Sequence, residues 1–376
     1  MAILNFLGFD LFGAAQVSGE PTLMAGVPAA MLNVNHRTFS TGTYMGVTGL
    51  AADKFGEGAE LRNALVCSKN TTPNSFTVLE VLPVRNLRTN VSYRHCLGFR
   101  FKEVGSQNPA TTVTLISVDM STVLLSISTS GVFTLSGQAT SLTREFGREY
   151  YIELIQENVV GQPSPRLKFI VDGVLVLERS APNWGPDSDR NVPYCIGIHS
   201  SASDNRARRW LIGDLYWADG TGDAPYNDAL GPQKVLPVYA SEVVADTWEP
   251  SSGSDPVAMI NQADGRNDTT FLTSPTNGAE GTFKFDWKTN SRSVVNGVRM
   301  YARGQRDAGA VRNLDVQVKN GNGDVISSGG TAQALSTTWA EIKGGQILPN
   351  STLQVPQLTH AALQNSVVSI QSPAGT

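Results

Sequence analysis

Apolar and polar residues alternate along most of the chain with a period of two, the spacing that sends successive side chains to opposite faces of a β-strand. Thr112-Val113-Thr114-Leu115 and Val123-Leu124-Leu125-Ser126-Ile127 read as strands, and Ser130-Gly131 reads as a turn into Val132-Phe133-Thr134-Leu135. Tyr150–Ile155 is a further strand. Leu167–Val171 and Val174–Leu177 flank Asp172-Gly173. That pair is a strong hairpin signal, because a type I′ turn requires positive φ at both central residues. Strands around Cys195–Ile198 and Trp210–Trp217 complete the first half.

The alternation stops between Asp219 and Lys234, a stretch rich in Gly, Pro and Asp with no apolar period. It resumes over Gly281–Trp287, Val294–Ala302, Asn313–Lys319, Asp324–Ser328 and Val367–Ile370, with a hairpin-type turn at Asn320-Gly321-Asn322-Gly323. The pattern predicts an all-β chain: a jelly-roll domain over 1–222, a connector over 223–235 and a smaller β-sandwich over 236–376. One helical turn is expected within Ser141–Arg148. No heptad seam, collagen-like triplet or tandem repeat is present.

The opening, Met1–Ala15, is apolar and ends in small residues, as a secretory leader does. Yet no Lys or Arg precedes Arg37, and Asp10 interrupts the run. It reads as a first strand with Phe6, Leu7 and Phe9 entering a core. No stretch reaches the roughly 18 apolar residues of a membrane span, so no membrane insertion is expected.

Composition narrows the function classes. With 376 residues the chain is long enough for two cores. Charged residues are 16% of it, against a usual share of about a quarter, and the formal net charge is −4. Nothing in that balance is a basic footprint for nucleic acid. Arg206, Arg208 and Arg209 read as a solvated loop cluster. Cys67, Cys96 and Cys195 are odd in number and far apart, which suits buried free thiols and assembly in a reducing cytoplasm rather than a disulfide framework or a zinc site.

Candidate chemistry is sparse. His36, His95, His199 and His360 lack metal-site spacing, and there is no phosphate-cradling loop. Glu153 and Glu157, four apart, share one face of a predicted strand, but the Asp of a Glu-x-Asp-x-x-Glu arrangement is missing between them. Asp187-x-Asp189-x-Asn191 resembles a calcium loop only in part, since Val192 and Ile198 stand where Gly and Glu would be required. The remaining candidate is a glycan contact at Trp184, Asp187, Asp189 and Arg190, where an aromatic face could stack on a sugar while carboxylates and a guanidinium meet its hydroxyls. Trp210 and Trp217 alternate with apolar residues and read as core. No catalytic residue, metal or cofactor is expected, and no enzymatic activity.

Several segments together resemble the concanavalin A-like, laminin-G-like jelly-roll proteins of tailed-phage virions. In the first half these are Gly8-Phe9-Asp10, Gly56–Arg62, Leu97-Gly98-Phe99-Arg100-Phe101, Tyr150–Leu154, Val171-Asp172-Gly173 and Ile212–Gly222. Asn227-Asp228-Ala229-Leu230-Gly231 is similar to the family's linker. Thr247-Trp248 with Pro250, Asn267–Phe271 and Leu358–Leu363 are similar to parts of its second domain, although the family often has Trp where Leu358 stands. The resemblance implies a structural virion component, tail-associated (fibre, tip or baseplate periphery), with a head spike or capsid decoration and a carbohydrate-binding adhesin as alternatives. It implies other virion proteins as partners and favours a trimer, while the homo-oligomer itself is expected from the missing coiled-coil or collagen shaft and the low charge density, and host surface glycans are the contact that the Trp184 loop would make.

Overall fold

A computed structural model describes residues 3–7, 34–39, 44–48, 54–55, 62–69, 76–84, 92–105, 108–118, 121–162, 164–180, 192–199, 208–218, 228–261, 269–290, 294–308, 311–327, 332–347 and 358–373. The chain divides into two compact units, Met1–Val235 and Leu236–Thr376. Both are built from antiparallel strands, and the fold is all-β.

The first unit is a jelly-roll sandwich of two sheets. Sheet A runs in the order β14 (Val174–Ser180), β13 (Arg166–Val171), β12 (Glu149–Asn158), β7 (Tyr93–Glu103), β16 (Arg208–Ala218), β5 (Arg62–Lys69) and β3 (Tyr44–Thr48). β1 (Ile3–Leu7) pairs with β16, and β4 (Lys54–Phe55) pairs with β5. Sheet B runs β11 (Gln138–Thr143), β10 (Val132–Leu135), β9 (Thr122–Ile127), β8 (Val113–Val118), β15 (Val192–His199), β6 (Phe76–Val84) and β2 (Val34–Phe39).

Side-chain alternation decides which residues lie between the sheets. On β12 these are Tyr150, Ile152, Leu154 and Gln156, paired across to Phe101, Phe99, Leu97 and His95 of β7. Phe133 from sheet B meets Phe101, Tyr150 and Phe169 of sheet A at centroid distances of 6.4, 5.8 and 5.7 Å. Trp210 stands edge-on to Phe101 at 5.5 Å. Each such fully buried side chain contributes roughly 1.5–3 kcal/mol. Trp210 and Trp217 are both buried, and the three cysteines are free and buried.

The Asp172-Gly173 turn carries φ of 52° and 80°, both positive as a type I′ turn demands. Helix does not form within Ser141–Arg148. Gln138–Thr143 continues sheet B as β11, and β-branched Thr140 and Thr143 suit that extended backbone. Arg144, just beyond, is fully buried and ion-paired with buried Glu103 of β7, with a second contact to Asn108 Oδ1 at 3.0 Å.

The second unit is a smaller β-sandwich. Its five-stranded sheet runs β17 (Ala240–Asp246), β20 (Glu280–Phe285), β25 (Val367–Gln371), β22 (Asn313–Lys319) and β23 (Gln333–Ala334). Two-stranded pairings join β18 (Glu249–Pro250) to β19 (Leu272–Thr273) and β21 (Val298–Gly304) to β24 (Ala340–Ile347). Trp287, Met300, Val316, Val318, Leu363 and Val368 form the core, and Leu358 joins them. The turn at Asn320–Gly323 closes through Asn320 Oδ1, which accepts from the N–H groups of Asn322 and Asp324 at 2.9 Å each. Asp255 and Thr359 cap two short helices, Pro256–Ile260 and His360–Gln364. No helix among the described residues is long and apolar enough to cross a membrane.

Candidate functional site

Trp184, Asp187, Asp189, Arg190 and Asn191 lie outside the described residues. Among the described residues no group of His, Cys, Asp and Glu is placed to hold a metal ion. The concentration of polar chemistry lies instead on the outer face of sheet A, the face turned away from sheet B.

β12 directs Tyr151, Glu153, Ile155 and Glu157 to that face. Opposite them on β7 stand Arg100, Gly98, Cys96 and Arg94. On β16 the pairing runs from Gly213↔Arg100 to Tyr216↔Gly98, so Asp214 and Leu215 together oppose one β7 residue. This irregularity re-aims side chains, as bulges do. Asp214 takes φ of +47°, a left-handed value that Asp tolerates better than most residues. Both Asp214 and Tyr216 then contribute to the outer face. Gly98 is needed beneath Tyr216, because a Cβ there would lie 2.1 Å from ring atom Cε1.

The segment Asp228–Val235 is laid over this face. Read from composition as connector, it belongs to the first unit and docks through its backbone. Gly231 N–H donates to Glu153 Oε1 at 3.0 Å, Leu230 N–H donates to the Tyr216 hydroxyl at 3.1 Å, and Val235 N–H donates to Asp214 Oδ1 at 3.0 Å. Arg100 Nη2 donates to the Gln233 carbonyl at 3.1 Å. Ala229 and Leu230 pack on Cys96, Tyr151, Ile155, Tyr216 and Ala218. Arg94 reaches Asp228 at 3.6 Å and Glu157 at 2.9 Å.

Beneath the segment the groups are tightly coupled. The Tyr216 hydroxyl donates to Glu153 Oε1 at 2.6 Å. Arg100 Nε donates to Asp214 Oδ2 at 2.7 Å, and the Tyr151 hydroxyl donates to the Asp214 carbonyl at 3.1 Å. Glu153 is 1% exposed, and among the described residues its Oε2 has no hydrogen-bond partner. Burial pushes its carboxyl above the usual range against the lowering effect of the Tyr216, Gly231 and Leu230 donors. Burial also pushes the Cys96 thiol up to about 12 and the phenols of Tyr151 and Tyr216 well above their ordinary value.

Glu153 and Glu157 do share a strand face, as their spacing predicts, but they are not a matched pair. Glu153 is sealed under the segment. Glu157 is ion-paired with Arg94 and with Lys168 at 3.6 Å, and it borders a shallow pocket with Val159, Gln162, Ser164 and Arg166.

No protein-family model matches the chain, and no curated protein sequence does. Similarity to solved structures does exist. An endo-β-1,4-glucuronan lyase from the fungus Trichoderma reesei is similar at 10% identity over 48% of this chain and 90% of its own, with a TM-score of 0.36. The alginate lyase AlgAT5 of polysaccharide lyase family 7 is similar at 13% identity over 48% of this chain and 84% of its own, with a TM-score of 0.32. A cellulose-induced protein is similar at 10% identity over 49% and 89%, again with a TM-score of 0.32. These are likenesses of fold. They correct one expectation from sequence: the assignment of no enzymatic activity does not stand, because the solved structures similar to this chain include polysaccharide lyases.

Proposed function

We propose that the chain is a structural component of a tailed-phage virion, tail-associated, in which the first unit presents a rigid sandwich and hands the chain on to the second through a clasped exit. One observation carries this reading. Segments that resemble the phage virion family, far apart in sequence, converge on a single place. Leu97–Phe101 supplies Gly98 and Arg100, and Tyr150–Leu154 supplies Tyr151 and Glu153. Ile212–Gly222 supplies Asp214 and Tyr216, and the linker-like Asn227–Gly231 supplies Leu230 and Gly231. Asp172, from the hairpin motif, accepts from Tyr151 N–H at 2.8 Å.

Their joint product is the attachment of Asp228–Val235 to sheet A. A clasp of this kind fixes the point at which the chain leaves the first unit, which suits a part whose work is to hold position under load. The test is to label purified tailed-phage particles that encode the chain with an antibody against it, followed by cryo-electron microscopy. Density for both units on the tail supports the proposal. Density on the capsid lattice favours a decoration role instead, and particles that lack the chain overturn it.

A further inference from the structure

The clasp contains a group that its stability does not explain. Glu153 lies on the docked face, 1% exposed, with Oε1 accepting from two donors and Oε2, among the described residues, from none. A carboxylate fully charged at that position keeps one oxygen out of water and unpaired, which is costly. Lifting Asp228–Val235 would take away the Gly231 N–H that Oε1 accepts and the Ala229 and Leu230 side chains packed on the neighbouring Tyr151, Ile155 and Tyr216, and so let water toward the carboxyl. The docked and lifted states therefore differ in how well they tolerate charge on one identified group.

We infer that Asp228–Val235 is a proton-gated strap, docked on sheet A while Glu153 is a neutral carboxyl and released when Glu153 carries charge. The direction follows from linkage. A carboxyl that binds its proton more tightly in the docked state than in the lifted state favours docking at low pH. Docking is complete below the ordinary glutamate value and weakens as pH rises through the docked-state value. Between those two values one released proton raises the opening constant by up to about tenfold per pH unit, with a plateau above.

Among the described residues, the other titratable and charged groups on the elements around Glu153 include Tyr151 and Glu157 on β12, Arg94, Cys96 and Arg100 on β7, Asp214 and Tyr216 on β16, Lys168 on β13, and Asp228 and the exposed Lys234 on the strap. The thiol and the two phenols are raised too far to ionise in the same window. The carboxylates Glu157, Asp214 and Asp228 each sit on a guanidinium or ammonium, unlike Glu153.

Amide hydrogen exchange of the full chain between pH 5 and 8, corrected for the intrinsic pH dependence of exchange, tests the strap. In the native protein, protection of the peptide covering 228–235 is expected to fall as pH rises while β7 and β12 stay protected. In Glu153→Gln, which keeps the shape and an acceptor for Gly231 but cannot ionise, that protection is expected to stay flat. Tyr216→Phe, which removes the hydroxyl bonded to Leu230 and Glu153, is expected to loosen the strap at every pH while leaving the slope in place. Flat protection in the native protein overturns the inference, as does an unchanged slope in Glu153→Gln. The native series is decisive by itself if the glutamine variant does not fold.

Discussion

Two outward sheet faces place glutamates in opposite circumstances. On sheet A of the first unit, Glu153 is 1% exposed beneath Asp228–Val235, and burial pushes its proton affinity up. On the five-stranded sheet of the second unit, Leu314, Val316 and Val318 of β22 turn inward, and Asp315, Gln317 and Lys319 turn out. There the Glu280 side chain is 37% exposed and accepts from Lys319 Nζ and from Ser369 Oγ at 2.6 Å each. Its carboxyl is held below the usual range, first by Lys319 and then by Ser369. Both glutamates accept two good hydrogen bonds. The difference is that Glu153 is buried and, among the described residues, has no cation against it, whereas Glu280 is partly exposed and has Lys319. Cover and the presence of a cation, more than the number of donors, set the behaviour of a polar group on a sheet face.

The largest effects then belong to covered charges. Glu103 and Arg144 are 2% and 0% exposed, and Arg144→Met takes a guanidinium away from a buried carboxylate. The expected loss is about 3–5 kcal/mol, read from urea unfolding followed by a probe in the first unit. A loss under about 1 kcal/mol breaks the comparison at its strongest point.

Next comes the seat of the clasp. Gly98→Ala places a methyl group into the Tyr216 ring, and the ring must shift. The expected cost is about 1–3 kcal/mol, together with faster exchange of the Leu230 and Gly231 amides that depend on Tyr216 and Glu153. Unchanged exchange with a normal melting temperature would show that the ring position is not what seats the strap.

Acid and base should then act on the two glutamates in opposite directions. The Glu153 contribution is present in full below the unfolded glutamate value and is lost as pH rises through its raised value. The Glu280 contribution is present above the unfolded value and is lost as pH falls through its lowered value. Glu153→Gln should therefore lessen the first unit's loss of stability toward neutral pH, and Glu280→Gln should lessen the second unit's loss toward acid. Local stabilities from hydrogen exchange across the pH range separate the two; slopes of the same sign would contradict the account. The smallest effect belongs to an open pair, Lys284 with Glu242, whose side chains are 48% and 59% exposed. Lys284→Ala should change stability by only about 0–1 kcal/mol in the same unfolding assay.

Much of the sandwich was legible because it rests on local pattern. Alternation marked β12, β13 and β14, and Asp172-Gly173 marked the turn between the last two, since the φ values it needs are a property of those two residues. The spacing of Glu153 and Glu157 correctly put both on one face. Their cover was not legible. Asp228–Val235 has the Gly, Pro and Asp content of a connector, and it docks mainly through main-chain N–H groups that leave no mark on side-chain pattern. The irregularity that re-aims Asp214 and Tyr216 depends on pairing between β16 and β7, strands more than 100 residues apart, and no local window contains it. Gly98 in an otherwise apolar run was the one available signal, since a glycine inside a strand marks a close approach. Ser141–Arg148 misled because its polar residues suit a turn, while the pairing of β11 with β10 is set by the sheet.

The most direct test of the central claim is a carbon-13 NMR titration of the side-chain carboxyls of Glu153 and Glu280 in the intact chain. The account predicts that Glu153 titrates above the ordinary glutamate range and Glu280 below it, and that Gly98→Ala, by unseating the cover, moves Glu153 back toward the ordinary value while leaving Glu280 where it was. Glu153 titrating at or below the ordinary value in the native protein would contradict it.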